Sequence, residues 1–248
     1  MIISHKHKFI FIHCRKVAGS SMKVALAPFL GDNDIVIGSL NEVLENGLPM
    51  NEATKKTLKT FKGNFYYWIA KLVGKTYPES VNFGVKQFYK NKRFKMPQHP
   101  KAKEIKAVFP QPWANYKKFC FVRNPYEQVV SEYFWRRNKL NITFTEYLQL
   151  LKNKNRVFSD SSYYIKNWEM YTINNEVIVD KIGRFENLNE DFADISEYLG
   201  LGRIELNVMQ KKGSHQKQYA QMYGRKEYNL VSEIFKEEIE AFRYRFPY

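Results

Sequence analysis

A short run of small and basic residues, Arg15-Lys16-Val17-Ala18-Gly19-Ser20-Ser21, follows an apolar stretch and precedes a stretch typical of a helix. A helix that begins directly after a strand presents free N–H groups and the positive end of its dipole. Glycine lets the backbone approach an anion closely, and Lys16 adds a full positive charge. The run therefore predicts an anion cradle formed by Arg15 to Ser21 with the amide of Met22. An ordinary strand-to-helix turn is the alternative.

The order of residues in this cradle differs from that of an ATP-binding P-loop. Lys16 precedes Gly19, and Val17 stands after the lysine, where a magnesium-binding Ser or Thr would be needed. A cradle without that hydroxyl suits transfer of a sulfuryl group, which carries less charge than a phosphoryl group. We therefore expect no metal at this site.

A second segment combines an apolar run, Phe119-Cys120-Phe121-Val122, with Arg123-Asn124-Pro125-Tyr126, and Ser131 and Tyr133 follow. It resembles the 3'-phosphate-binding segment of sulfotransferases that use PAPS (3'-phosphoadenosine 5'-phosphosulfate). In that family an arginine at the strand end and a serine two helical turns later hold the 3'-phosphate. The resemblance implies these roles for Arg123 and Ser131, with a surface ion pair as the alternative for Arg123.

The resemblance extends over most of the chain and is closest to the carbohydrate branch of the family. The matching segments are Phe11-Ile12-His13 with the cradle, His99 with Ala102 and Glu104, Asp180 to Leu188 with Asp191-Phe192, Ser214 to Tyr219, and Phe242 to Phe246. It implies a P-loop-like, three-layer α/β/α fold with a mainly parallel central sheet. It also implies a single sulfotransferase domain over residues 1–248, with a basic helical insertion on the acceptor side at about 40–96.

The implied reaction moves a sulfuryl group from PAPS to a hydroxyl of a polysaccharide, lipopolysaccharide or glycolipid and releases adenosine 3',5'-bisphosphate. In it, Lys16 would stabilise the leaving group. His99 is the first choice for the base, because imidazole titrates near neutral pH. Glu104 is the rival base, although a solvated carboxylate on a helix face is also consistent with the sequence, as is a helix-capping role for His99.

Four further residues are candidates for donor binding. Arg184 would brace the donor, or else pair with Glu186 or Asp191. Lys212, Gly213 and Ser214 resemble the basic glycine loop that closes over the 3'-phosphate in the broader superfamily, and a solvated basic loop is the alternative.

The stretch from Lys55 to Lys106 contains 14 Lys or Arg against two acidic residues, and aromatic residues are interleaved with them. It predicts two or three irregular helices. Its aromatics could simply belong to the core and its lysines to the solvated surface. The stretch could instead form the acceptor groove, with lysines such as Lys86 meeting an acidic glycan. Alternatively, a membrane could be contacted by an apolar set consisting of Tyr66, Trp68, Ile69, Leu72 and Val73.

The elements that must position these residues alternate between strands and helices, as in a parallel α/β domain. Strands are predicted at Phe9 to Ile12, Asp34 to Ile37, Phe119 to Val122 and Val177 to Val179. Helices are predicted at Met22 to Ala27, Pro100 to Val108, Pro125 to Lys139, after a capping box of Thr143 and Glu146, at Asn189 to Leu199, and in an apolar stripe from Tyr228 to Phe242.

The 248 residues carry a formal net charge of +15, which indicates a polyanionic partner without identifying it. The two cysteines, Cys14 and Cys120, lie in apolar runs and predict buried thiols. The N-terminal apolar run is too short for a signal peptide or a membrane span, so we expect a soluble cytoplasmic protein, with peripheral membrane contact as an option. The competing functions are an RNA- or single-strand-binding protein and a non-standard P-loop kinase, but no RNA-binding motif is found and nucleic acid is not expected.

Overall fold

The computed structural model describes residues 1–90, 94–153, 166–206 and 219–247. The chain divides into two compact units, one made of Met1–Phe121 with Glu169–Leu206 and the other of Val122–Trp168 with Asn207–Tyr248. The single domain with a basic insertion at about 40–96 stays a prediction.

The strands are, in chain order, β1 (Ile2–Ser4), β2 (Phe9–Ile12), β3 (Ile35–Val36), β4 (Lys117–Val122), β5 (Thr172–Ile173), β6 (Glu176–Val177) and β7 (Lys181–Arg184). Five of those described form one sheet in the order β3-β1-β2-β4-β7, and β5 pairs with β6 in a separate two-stranded sheet. The predicted strands at 9–12, 34–37 and 119–122 are therefore present as β2, β3 and β4.

The central strands of the large sheet run parallel. β4 pairs in parallel with β2 along Phe9–Ile12, whereas β1 is antiparallel to both β2 and β3. Asp180 N–H donates to Lys118 O at 2.8 Å, and three residues further on a Cβ at Gly183 would lie 2.3 Å from the Phe121 ring. The residue numbers rise by three in both segments from the first contact to the second, so β7 runs parallel to β4. The predicted α/β class with parallel central strands is confirmed.

The strand predicted at Val177 to Val179 is wrong. Only Val177 of that run is in a strand, as the end of the short β6, and its side chain is 44% exposed. The strand that joins the large sheet is Lys181–Arg184, because Gly183 allows the backbone to lie against the Phe121 ring. The apolar run alone could not distinguish a hairpin edge from a sheet strand.

The helices are, in chain order, α1 (Gly19–Leu26), α2 (Leu40–Glu45), α3 (Glu52–Lys59), α4 (Phe61–Leu72), α5 (Tyr77–Lys90), α6 (Ala102–Val108), α7 (Pro110–Asn115), α8 (Pro125–Leu140), α9 (Phe144–Lys152), α10 (Trp168–Tyr171), α11 (Leu188–Tyr198), α12 (Arg225–Ile234) and α13 (Lys236–Phe242). The first helix begins three residues earlier than predicted, at Gly19. The basic stretch forms regular helices rather than irregular ones, since Asn51 caps α3 and Thr60 caps α4.

The second unit is built around an aromatic core. The capping box of Thr143 and Glu146 begins α9 as predicted. The predicted C-terminal stripe does pack on the core, where Val231 and Phe235 are fully buried, but the helix is broken at Phe235 into α12 and α13. The buried residues of this core are Tyr126, Val129, Val130, Tyr133, Phe144, Tyr147, Leu148, Tyr219, Val231, Ile234 and Phe235.

Cys14 and Cys120 are both buried and free, as predicted. Within the described ranges, no helix combines the length and the apolar character needed to cross a membrane.

Candidate functional site

The loop between β2 and α1 turns through two non-glycine residues in the left-handed conformation, Lys16 with φ 61° and Ala18 with φ 59°. Val17, between them, is fully buried. The left-handed conformation costs an L-residue about 1–2 kcal/mol. The surroundings of the loop, including the pocket that buries Val17, therefore maintain its shape.

The loop leads directly into α1, so the amides of Gly19, Ser20 and Ser21 have no partner within the helix. Met22 N–H instead donates to Ala18 O at 3.2 Å and belongs to the helix ladder. The candidate anion cradle of the first unit thus consists of three amides at the helix start, with the Lys16 side chain in the same loop.

His13 lies beneath the start of α1. A Cβ placed on Gly19 would lie 1.9 Å from His13 Cδ2, so only glycine fits here. The His13 ring is buried and stacks on Phe11 with 5.9 Å between ring centroids. Its Nδ1 has no hydrogen-bond partner among the described residues. Burial, followed by the charges of Lys23 and His99, holds the pKa of His13 well below its ordinary value. His13 is therefore a neutral core histidine, and it also supports the cradle.

His99 is tied to the same strand end. Its Nδ1 lies 2.7 Å from the carbonyl oxygen of His13, and the two rings meet edge-on with centroids 4.7 Å apart. A carbonyl oxygen only accepts, so Nδ1 carries the proton, and in the neutral ring Nε2 is then the proton acceptor. Burial, and next the charge of Arg15, hold the pKa of His99 well below its ordinary value. His99 is therefore neutral near pH 7.

Glu104 has a structural role at the start of α6. Its carboxylate accepts from Lys101 N–H at 2.9 Å and from Lys95 N–H at 3.2 Å, and it is the third helical residue of a capping box. Both of its oxygens are therefore engaged by backbone donors at the start of the helix. The role of either His99 or Glu104 as the base stays a prediction.

Two residues beside the cradle, Glu42 and Lys23, were not predicted from the sequence. Ser20 Oγ lies 2.8 Å from Ser39 Oγ and donates to Glu42 Oε1 at 3.1 Å. Glu42 Oε2 is buried and has no hydrogen-bond partner among the described residues. Because Glu42 lies on α2, more than twenty positions from Ser20, no local spacing in the sequence indicates this contact.

Lys23 is the second missed residue. Its side chain is fully buried, and its Nζ donates to Ile37 O and Gly38 O, each at 2.8 Å. Burial lowers the pKa of Lys23 to about 7. These two bonds connect α1 to the chain that leads into α2, and a Cβ on Gly38 would lie 2.7 Å from Gln98 Cβ, next to His99. Lys23 therefore fixes the wall of the candidate site.

Arg184 lies at the end of β7 with an exposed side chain. Its backbone N–H donates to Asp191 Oδ2 at 2.6 Å, and Asp191 Oδ1 accepts from Asn187 at 2.6 Å. Asp191 thereby fixes the turn into α11 through the backbone of Arg184. The donor-bracing role of the Arg184 side chain stays a prediction.

In the second unit, Arg123 directly precedes α8. Its Nη2 lies 3.4 Å from Glu127 Oε2, and both side chains are largely buried. Asn124 acts as the cap of α8, since its Oδ1 accepts from Tyr126 N–H at 3.1 Å. Ser131 is half-buried two turns into α8. The ion pair expected as the alternative for Arg123 is therefore present, but it is not a surface pair.

The C-terminal segment that resembled the family packs on this same region of the second unit. Asn124 Nδ2 donates to Arg245 O at 2.8 Å, and the Phe246 ring meets that of Tyr126 with centroids 5.2 Å apart. The segment therefore holds the turn that carries Arg123.

Lys212, Gly213 and Ser214 lie outside the described residues. A Gly-Lys-Thr triplet does occur at Gly74 to Thr76, but Ile69 stands where an ATP-binding P-loop requires its first glycine. The triplet lies between α4 and α5 rather than between a strand and a helix, so it does not form such a loop.

The crystal structure of mouse sulfotransferase SULT7A1 complexed with PAP aligns with 96% of this chain and 86% of that one, at 14% sequence identity and a TM-score of 0.45. An uncharacterized protein of Archaeoglobus fulgidus is 37% identical over 99 residues, which cover 38% of this chain and 74% of that protein. The model of the Sulfotransferase family matches residues 1–245. The resemblance found in the sequence is thus confirmed, and the chain belongs to the sulfotransferase family, whose members are enzymes that transfer sulfuryl groups.

Proposed function

We propose that this enzyme takes the sulfuryl group from PAPS and transfers it to a hydroxyl of a carbohydrate acceptor by in-line displacement at sulfur. Three helix-start amides and the Lys16 loop match the phosphosulfate end of that donor in charge and donor type. The valine after Lys16 supports a reaction without magnesium at the cradle. The string from Phe119 to Tyr126 supports a donor with a 3'-phosphate through its resemblance to the family segment.

The orientation of His99 carries the proposal. With the Nδ1 proton donated to His13 O, Nε2 is the atom that accepts the proton of the acceptor hydroxyl. As that oxygen bonds to sulfur, the bond from sulfur to the 5'-phosphate oxygen breaks. Lys16 and the amides of Gly19 to Ser21 stabilise the negative charge that then develops on the phosphate.

A carbohydrate acceptor is supported by the basic helices that adjoin the cradle region. Asn82 on α5 donates to Asn41 on α2 at 2.9 Å, next to the Ser39 and Glu42 contacts of Ser20. Lys86 lies on the same helix. Its pKa is below the ordinary value because burial and, next, the charge of Lys75 outweigh the opposing effect of Glu42. We propose that this surface receives an acidic saccharide, as the resemblance to the carbohydrate branch implies.

The direct test measures transfer of radiolabelled sulfate from PAPS to a panel of glycans. We expect His99→Ala to reduce kcat by about 10²–10⁴ and Lys16→Ala to reduce it by about 10²–10³, with acceptor-dependent product in the wild type. His7→Ala is the matched control, because His7 bonds to Phe29 O in the first unit, outside the candidate site. Full activity in His99→Ala would remove that residue as the base.

The donor is tested by thermal shift with adenosine 3',5'-bisphosphate, with ATP and magnesium, and with poly-U. We expect stabilisation by the bisphosphate alone. Stabilisation by ATP and magnesium instead would indicate a kinase, and stabilisation by poly-U a nucleic-acid-binding protein.

The 3'-phosphate assignment is tested with Arg123→Ala and Ser131→Ala. Each should weaken binding of the bisphosphate by about tenfold or more, since a hydrogen bond to a charged group contributes about 1.5–3 kcal/mol. The affinity for adenosine 5'-monophosphate should not change. Arg225→Ala is the control, because this exposed arginine begins α12. An equal loss for both nucleotides would refute the assignment.

A further inference from the structure

Helix α4 presents its apolar face to solvent. Four large residues recur along it at helical spacing, and their exposed fractions are 87% for Phe61, 52% for Phe65, 55% for Trp68 and 84% for Leu72. Residues at this spacing share one face of a helix. They line a surface cleft of about 390 Å³ together with Lys59. Apolar residues scattered singly on a surface need no explanation, but a continuous stripe of them does.

The opposite face of α4 makes the internal contacts. Gly63 and Ala70 are buried there, and Gly63 O would lie 2.8 Å from a Cβ placed on Gly84 of α5. Small residues thus bring the two helices close together. The large apolar residues are therefore not required for the packing of α4 on α5.

The expectation from the sequence placed Tyr66 and Ile69 in the membrane-facing set. Both are half-buried, whereas Trp68, Leu72 and Val73 of that set are exposed. The outward face is instead completed by Phe61 and Phe65.

The charged residues of α4 and of its two flanking segments are all positive. At about 100° per residue, Lys62 and Lys71 lie about a quarter turn to either side of the stripe. Lys59 borders the cleft, and Lys75 follows the helix. No acidic residue occurs from Lys55 to Tyr77. A patch with apolar and aromatic residues in the centre and lysines at the rim complements an anionic, amphipathic surface.

We propose that α4 lies in the plane of an anionic phospholipid membrane. Phe61, Phe65, Trp68 and Leu72 enter the boundary between headgroups and acyl chains, and the flanking lysines contact lipid phosphates. Aromatic and leucine side chains opposite basic ones are the composition that such interfacial helices use. This inference does not depend on the identity of the sulfuryl donor or acceptor.

The test is co-sedimentation of the full chain with vesicles of phosphatidylcholine alone and of phosphatidylcholine with phosphatidylglycerol. We expect binding to the anionic vesicles, weakening as salt is added, and little binding to the neutral ones. The double variant Phe61→Gln/Leu72→Gln should lose binding by a factor of about ten or more for each residue. Lys62→Gln/Lys71→Gln should weaken binding to the anionic vesicles about 25-fold, at a factor of about five for each lysine.

Val177→Gln is the matched control, because Val177 is an exposed apolar residue outside the patch and its loss should leave binding unchanged. All four α4 positions are exposed, so these variants are expected to fold, and circular dichroism checks this. Lipids brominated on the acyl chain should quench part of the tryptophan fluorescence, and Trp68→Phe should abolish that quenching.

Three results would overturn the proposal. Equal binding to neutral and anionic vesicles would contradict the role of the lysines. Quenching that persists in Trp68→Phe would place a different surface on the membrane. A dimer in light scattering that Phe61→Gln/Leu72→Gln converts to a monomer, without vesicle binding, would assign the face to a second copy of the chain.

Discussion

The ring of His13 occupies the space that a side chain on Gly19 would need. The hypothetical Cβ and His13 Cδ2 would be separated by only 1.9 Å. The buried histidine and the glycine that begins α1 are therefore one steric unit, and the position of the cradle amides depends on both.

Gly19→Ala should weaken binding of adenosine 3',5'-bisphosphate by about tenfold or more. It should also lower the free energy of unfolding by about 1–3 kcal/mol, because overpacking forces the imidazole or the helix to move. Isothermal titration and urea denaturation measure the two effects. Gly31→Ala is the control, since its Cβ would meet only the flexible Lys6 side chain, at 3.2 Å. Adding His13→Ala to Gly19→Ala should restore part of the affinity for the bisphosphate. A double variant that binds no better than Gly19→Ala would contradict the steric explanation.

The acid limb of kcat/KM should lie below pH 6.5, because burial and then Arg15 hold the pKa of His99 below its ordinary value of 6.5. A neutral imidazole is required of a base, so activity is retained as the pH falls until it passes through that lowered pKa. Arg15→Gln removes the second cause and should move the limb to higher pH when measured at saturating PAPS. Lys8→Gln, an exposed change outside the site, should not move it. A limb that does not respond to Arg15→Gln would show that another group limits the rate.

Lys23→Met tests the buried lysine through the pH dependence of stability. The folded pKa of Lys23 is about 7 against an ordinary value of 10.5. Between those values the unfolded chain binds more protons, so the free energy of unfolding should rise with pH, by up to about 1.4 kcal/mol per pH unit. Lys23→Met should remove that slope, and the exposed Lys103→Met should keep it. Urea denaturation across this pH range measures both, and equal slopes in the two variants would mean that Lys23 stays protonated in the folded chain.

Lys86→Gln should raise the KM for the glycan by about tenfold, since a hydrogen bond to a charged group contributes about 1.5 kcal/mol or more. The affinity for the sulfuryl donor should not change. Initial rates with each substrate varied in turn separate the two effects, with the exposed Lys103→Gln on α6 as control. A lower affinity for the sulfuryl donor with an unchanged KM for the glycan would assign Lys86 to the donor site and not to the acceptor surface.

The features that the sequence predicts well are those set by neighbours in the chain. The turn of Lys16 to Gly19 between a strand and a helix follows from short-range rules for glycine, apolar runs and helix starts. The capping box at Thr143 and the buried strand before Arg123 also follow from residues that are close in the chain. The resemblance to the family rests on such short segments as well.

The features that could not be predicted depend on distant residues. The tautomer of His99 is set by a carbonyl 86 positions away, and the burial of Lys23 by a later turn of the chain. The apolar residues between Tyr66 and Val73 indicated a membrane contact, but the sequence could not tell that small residues on the opposite face of α4 make the contact with α5. The run at Val177 failed for a similar reason, because its composition does not say which strand it pairs with.

The two left-handed residues of the cradle have a consequence for attempts to engineer the enzyme. Glycine adopts that conformation without the penalty that Lys16 and Ala18 incur. A library selected only for heat resistance should therefore collect glycine at both positions. At residue 18 the gain should be compatible with turnover, whereas at residue 16 the same gain removes the lysine from the cradle. Selection for thermostability and selection for activity should thus agree at one residue and diverge two positions away.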